Sequence, residues 1–215
     1  MDLSPPLVFG AIPRPAFGTA AQHLAAPTRT TTRATRRYQR AARTAAELLP
    51  DLPRPGEAVH CLMLGTFDLC QVITAVARPL PYLRHLRIAT LCYSKRNVAE
   101  LCSLLEARHP DSLTLTLLVS EFFREHNKEL HERAAEQLSA FPYVRVAVAR
   151  SHCKVVCFDL GEGDGLVFEG SANLRTNKNR EQLAAVRDRP LHDWHAAWID
   201  QLARADDGRQ EEAES

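Results

Sequence analysis

The chain has 215 residues, a length that suits one domain of ordinary size with tails and is too short for two comfortable cores. Hydrophobic residues make up 45% and charged residues 25%, the composition of a soluble globular protein. The formal net charge is +1, which by itself selects neither a nucleic-acid partner nor an acidic one. Local charge says more. The stretch Thr28–Ala46 holds Arg29, Arg33, Arg36, Arg37, Arg40 and Arg43 with no acid until Glu47, whereas the tail Asp206–Ser215 is largely acidic. No apolar run reaches the roughly 18 residues of a membrane span, so no membrane partner is expected. The N-terminus lacks the basic and apolar regions of a secretory signal. Cys61, Cys70, Cys92, Cys102, Cys153 and Cys157 fall mostly inside apolar runs and read as buried reduced thiols, pointing to the cytoplasm. A zinc site is the alternative for them, but no pair has C-x-x-C spacing.

In chain order, residues 1–27 carry Pro5, Pro6, Pro13, Pro15 and Pro27 and show little periodicity, which predicts an extended arm or disorder. Residues 33–49 are rich in helix formers and end at Pro50, predicting a short basic helix and then a linker through Pro53 and Pro55. This N-terminal region is expected to occupy residues 1–55, a catalytic domain residues 56–205, and an acidic tail residues 206–215. From Glu57 onward strands and helices alternate. Strands are predicted at Val59–Gly65, Leu86–Tyr93, Leu113–Ser120 and Tyr143–Ala149, with helices at Asp68–Ala77, Lys95–Arg108 and Glu121–Ala140 between them. Near-continuous apolar strands linked by helices predict an α/β fold: a mixed, largely parallel sheet with helices on both faces. The runs Lys154–Leu160 and Leu166–Glu169, joined by Gly161-Glu-Gly-Asp-Gly165, predict a β-hairpin. A strand at Gln182–Arg187 and an amphipathic helix at Leu191–Arg204 close the domain.

The chemistry concentrates in Ser151-His-Cys-Lys-Val-Val-Cys-Phe-Asp159, followed after the hairpin by Gly170-Ser-Ala-Asn173. Alternation along a strand would put His152 and Lys154 on one face and Asp159 on the other. An imidazole and an ammonium beside Ser171 and Asn173 make a pocket suited to a phosphodiester: a nucleophile, a fixed positive charge and two uncharged hydrogen-bonding groups.

These two segments resemble the H-x-K-x4-D and G-S-x-N signatures of the phospholipase D superfamily, over roughly residues 151–188. The resemblance implies roles. His152 attacks phosphorus and forms a phosphohistidine. Lys154 and Asn173 hold the non-bridging oxygens, Ser171 adds a hydrogen bond, and Gly170 lines the substrate site. Glu181 takes the place of the carboxylate that orients the histidine. Asp159 is expected to be a structural residue near the site. Phosphoryl transfer in this superfamily uses no metal, so no cofactor is expected. The motif occurs once, and single-motif members are dimers, so the general acid is expected to be His152 of a second copy across a two-fold axis. The segment between Asp159 and Gly170 is longer than the family pattern, and the glycine-rich hairpin tip absorbs the difference.

Three features favour nucleic acid among phosphodiesters. The chain is small and single-motif, it lacks an evident bilayer anchor, and Arg33, Arg36, Arg37 and Arg40 could neutralise phosphates from the arm. Lys95 and Arg96, at the end of the second strand, are further candidate phosphate contacts. The expected activity is a homodimeric, metal-independent endonuclease acting on DNA or RNA. The alternatives are a phospholipase or phosphatidyltransferase, and a catalytically silent nucleic-acid-binding protein.

Overall fold

A computed structural model describes residues 35–38, 44–108, 113–175 and 178–214. One eight-stranded sheet organises them, in the order β1-β2-β8-β7-β6-β3-β4-β5. The strands are β1 (Thr35–Tyr38), β2 (Glu57–Met63), β3 (His85–Thr90), β4 (Thr114–Ser120), β5 (Val144–Ala149), β6 (Val155–Gly161), β7 (Asp164–Gly170) and β8 (Glu181–Arg187). Four neighbouring pairs are antiparallel and three are parallel, so the sheet is mixed as expected but less parallel than the alternating pattern suggested. The reason is that β6, β7 and β8 insert between β2 and β3. Their directions leave the C-terminal ends of β2, β3, β4, β5 and β7 at one end of the sheet, together with the N-terminal ends of β6 and β8.

Helices cover both faces. Helices α2 (Leu69–Ala77), α3 (Lys95–Glu106) and α5 (Lys128–Ser139) pack on one face, following the short α1 (Ala45–Leu48). Their core joins Val72, Ile73, Leu101 and Leu138 to the strand residues Ile88, Leu117, Phe158 and Phe168. On the other face α6 (Arg189–Glu214) sets Ile199 and Ala203 against Ala89, Leu118, Cys157 and Val167.

Three elements differ from the sequence expectation. Residues 35–38 are not helical: Thr-Arg-Arg-Tyr forms β1, parallel to β2, and α1 begins only at Ala45. A β-branched residue and an aromatic suit a strand, pairing with β2 satisfies backbone groups, and a short helix gains little without a buried face. Of the expected basic arm, only the backbone of Arg36 and Arg37 falls within the described residues; Arg29, Arg33, Arg40, Arg43 and the prolines before Thr28 lie outside them. The helix expected over Glu121–Ala140 breaks at Asn127, separating α4 (Glu121–His126) from α5. The Asn127 backbone leaves the helical region (φ −137°, ψ 41°), and its side-chain amide donates to the same Phe123 carbonyl that closes the last turn of α4. Finally, α6 does not stop at Arg204 but continues to Glu214. Asp206, first residue of the expected acidic tail, is buried and accepts from the Val148 backbone N–H at 2.9 Å, which ties the helix to the edge strand β5.

Candidate active site

The hairpin β6–β7 turns through Glu162 and Gly163, both at positive φ (46° and 79°). This is the twist a two-residue hairpin loop requires. It carries the chain back so that Gly170 at the end of β7 lies at the same end of the sheet as the entry to β6. His152, Cys153 and Lys154 form the extended lead-in to β6, which starts at Val155. The expected strand alternation therefore does not apply to them. Instead the two side chains meet directly, Lys154 Nζ lying 3.1 Å from His152 Nδ1 and 2.8 Å from the His152 carbonyl oxygen. A charged ammonium can only donate, so Nδ1 accepts and the neutral ring carries its proton on Nε2. His152 is exposed and Lys154 half-buried.

The loop after β7 crosses the entry to β6. Ser171 stays on the β8 side, where its backbone N–H donates to the Gln182 carbonyl at 3.1 Å and its hydroxyl accepts from the Gln182 N–H at 3.1 Å. Its hydroxyl proton goes to Glu181. Two residues on, the loop has reached β3. Asn173 Oδ1 accepts from the Leu91 N–H at 3.2 Å, and the Leu174 N–H donates to the Thr90 hydroxyl at 3.3 Å. Buried Ala172 and Leu174 anchor the crossing. With Oδ1 occupied, the Asn173 amino group is the end left to face a phosphate oxygen. Because β7 and β3 both flank β6, Ser171 and Asn173 straddle the His152–Lys154 lead-in.

Not every sequence-predicted residue gathers here. Asp159 lies at the far end of β6, paired with His85 and Gly165, about 16 Å along the strand from Lys154. It accepts from the Gly161 N–H at 3.0 Å and from Arg189 Nη1 at 3.2 Å. These bonds tie the hairpin to α6, at the end of the sheet away from His152, and not in the neighbourhood of the site where it was expected. Glu181, assigned by resemblance to the histidine, binds Ser171, while the contacts described for His152 are those with Lys154. Gly170 admits no side chain: a Cβ there would stand 2.1 Å from the Gln182 carbonyl oxygen. Arg96 pairs with Glu100 at 2.9 Å, and Lys95 lines a groove between α3 and α5 with Leu130 and Arg133.

Other strand-end polar residues are helix caps. Asp68 and Ser94 close capping boxes on α2 and α3, and Asp68 accepts from the buried Asn97 side chain at 3.0 Å. Sequence reading missed Arg175, two residues beyond Asn173. Arg175 lines a crevice of about 10 Å³, room for little more than one water, with Asn173, Glu181, Asp68 and Gly65. Burial pushes the nearby Cys92 thiol up, while Arg175 and Lys154 pull it back down, so both cations lie within electrostatic reach of it. The available signal was a loop, Leu174–Arg180, with three basic residues and no acid. Of the cysteines, Cys61, Cys70, Cys92 and Cys157 are buried, Cys153 is exposed, and all six are free thiols. Among the described residues no group of His, Cys, Asp or Glu is placed to hold a metal ion, and no helix is long and apolar enough to cross a membrane.

No protein-family model and no curated protein matches the sequence. Solved structures similar to the chain include a phospholipase D family member, Nuc, from Salmonella typhimurium, at 12% identity and TM-score 0.48, over 68% of this chain and 94% of that one. Phosphatidylserine synthase of Haemophilus influenzae is similar at 16% identity and TM-score 0.47, over 69% of this chain and 39% of that one. Yeast tyrosyl-DNA phosphodiesterase is similar at 14% identity and TM-score 0.34, over 60% of this chain and 31% of that one. The chain thus spans well under half the length of the latter two. At such scores the weight of the resemblance to the phospholipase D superfamily rests on this chain's own His152, Lys154, Gly170, Ser171 and Asn173.

Proposed function

We propose that the chain is a metal-independent phosphodiesterase, a homodimeric endonuclease that hydrolyses DNA or RNA through a phosphohistidine at His152. The observation that carries this reading is the contact between Lys154 and His152 at the sheet end that Ser171 and Asn173 straddle. An arriving phosphate offers Lys154 a charged acceptor better than a neutral ring nitrogen. Once Lys154 turns to the phosphate, Nδ1 takes the ring proton through solvent and Nε2 gains the lone pair needed for attack. The Nε2–P bond forms as the bond from phosphorus to the leaving oxygen breaks, and a general acid protonates that oxygen. Water then attacks phosphorus, breaks the N–P bond, and releases a phosphomonoester. Lys154 and the Asn173 amino group stabilise charge on the non-bridging oxygens.

One His152 cannot be nucleophile and acid on the same phosphate at once. The acid is His152 of a second copy across a two-fold axis. Glu181 acts through Ser171, fixing the loop that presents Asn173. Arg33, Arg36, Arg37 and Arg40 add cations for a nucleic-acid backbone.

The decisive measurement is cleavage of plasmid and single-stranded DNA in excess EDTA. Wild type is expected to cleave, while His152→Ala and Lys154→Ala proteins that remain folded fall by at least about a thousandfold. Full activity in either variant sinks the mechanism. Hydrolysis of lipid vesicles with DNA left intact would select a phospholipase instead.

A further inference from the structure

Most described arginines outside the site end are committed to acids. Arg87 pairs with Asp200 at 2.8 Å, Arg133 with Glu129 at 2.6 Å and Arg189 with Asp193 at 2.8 Å; Arg187 is held by Asp164. The end of the sheet that carries His152 is different. Arg175, Lys178 and Arg180 are exposed, and among the described residues none of them forms an ion pair. Arg150, directly after β5, is 86% exposed and keeps only a 3.4 Å contact with Glu121, an acid it shares with Arg124. In a chain of net charge +1, exposed cations with loose or no described ion pairs therefore lie at the same end as the His152–Lys154 pair, with Glu181 and Asp68 sharing a crevice with Arg175.

The strand order fixes how these cations are spread. Arg180 precedes β8, two strands to one side of β6, and Arg150 follows β5, three strands to the other side. At about 4.8 Å between strands, Arg180 stands about 10 Å and Arg150 about 14 Å from the His152–Lys154 entry, in opposite directions. A single phospholipid presents one phosphodiester and gives neither cation a partner. Each strand of a duplex places a phosphate about every 3.4 Å along the axis, and a stretched single strand spaces them more widely, so several phosphates of one strand cover that span in either form.

We propose that Arg150, Arg175 and Arg180 form a track that holds a nucleic-acid strand across the end of the sheet, with its scissile phosphate at the middle. Arg175, which lines one crevice with Asn173, serves the phosphate next to the scissile one; Arg150 and Arg180 hold the backbone on either side. The strand continues in both directions from His152, so bonds are cut internally and short ends bind poorly. This rests on the phosphodiesterase reading of His152 and names its substrate class and its internal mode of cleavage.

The test uses the full chain and an Arg150→Gln/Arg180→Gln double variant, neither position belonging to the catalytic pair. Substrates are bis(4-nitrophenyl) phosphate and oligothymidylates of 4, 8 and 20 nucleotides. The variant is expected to hydrolyse the small diester as wild type does. On the 20-mer its KM rises about tenfold with kcat within about twofold, and its log–log salt slope for binding falls by about 1.4, two single-strand contacts at about 0.7 each. Wild type is expected to favour the 8-mer over the 4-mer strongly and to cut the 20-mer internally. An unchanged KM and salt slope in the variant, or a 4-mer cut as well as a 20-mer, overturns the track. Anisotropy of a labelled 20-mer on His152→Ala protein separates the two claims. If wild type cleaves nothing yet binding still needs Arg150 and Arg180, the track stands and the phosphodiesterase reading falls. If anionic phosphatidylglycerol vesicles, and not the 20-mer, bind through these arginines, the surface is a membrane contact and the proposal fails.

Discussion

Gly170 sits where β7 must pass close to β8, and the Gln182 carbonyl oxygen occupies the space a methyl group would need. Backbone cannot step aside as a flexible side chain can, so Gly170→Ala must push β7 and β8 apart. Overpacking of this kind costs about 1–3 kcal/mol. The next residue is Ser171, whose backbone N–H and hydroxyl both pair with Gln182. The strain therefore falls on the loop that carries Asn173. Gly170→Ala is expected to lower the melting temperature and to cut DNA cleavage more than tenfold. Gly163→Ala makes the useful contrast. Its φ of 79° is strained for any L side chain, but no atom lies within 4 Å of the added Cβ, and the turn is at the far end of the hairpin. A stability loss of about 1 kcal/mol with unchanged cleavage is expected there. Equal loss of activity in both variants would show that the Gly170 effect is merely global.

At the scale of elements, α6 lies over a set of ionisable groups rather than a purely apolar stripe. His85, hydrogen-bonded to Thr116 at 2.9 Å, is brought down to about 4 by burial, with Arg87 pushing the same way and Asp200 and Asp159 opposing. Burial also lowers His192, whose ring is packed against Gly165. A histidine neutral in the folded state but titrating near 6.5 when unfolded favours unfolding only once the unfolded chain binds the extra proton. The contribution of His85 is therefore complete above about pH 6.5 and declines as the pH falls toward 4, by at most about 3 kcal/mol. Urea unfolding at pH 7.5 and pH 5 is expected to show a smaller loss in His85→Gln than in wild type, and equal losses would refute the assignment. None of this was readable beforehand, since the partners of His85 come from β3, β4, β6 and α6. The hairpin was readable, because Gly161-Glu-Gly-Asp-Gly165 encodes its own turn. The helices α2 and α3 were readable too, from the alternation of strand and helix patterns after Glu57. The placement of β6–β8 between β2 and β3 was not, since periodicity fixes an element's type and not its neighbours. The same distinction holds at the site. His152, Lys154, Ser171 and Asn173 were visible as a motif, whereas the bond from Ser171 to Glu181 and the nearness of Arg175 depend on where a loop crosses the sheet.

The whole molecule presents one His152 where phosphoryl transfer through histidine needs a nucleophile and an acid, and that imbalance makes assembly part of the proposed mechanism. If two copies meet across a two-fold axis at the site end, each dimer holds one complete centre built from two His152 side chains. A dimer with one wild-type and one His152→Ala subunit then lacks one of the two groups and is inactive. Co-expression of wild-type and His152→Ala chains in equal amounts, with separable affinity tags, gives about a quarter of dimers with both histidines by random pairing. Specific activity on plasmid DNA is then expected to fall to about a quarter of wild type, and the purified mixed dimer to be inert. Independent sites would instead leave about half the activity, with the mixed dimer half as active as wild type. The same sample passed over a sizing column decides whether the subunits associate at all. A fully active monomer would require the general acid to come from within the chain or from solvent, and would remove the two-fold site from the mechanism.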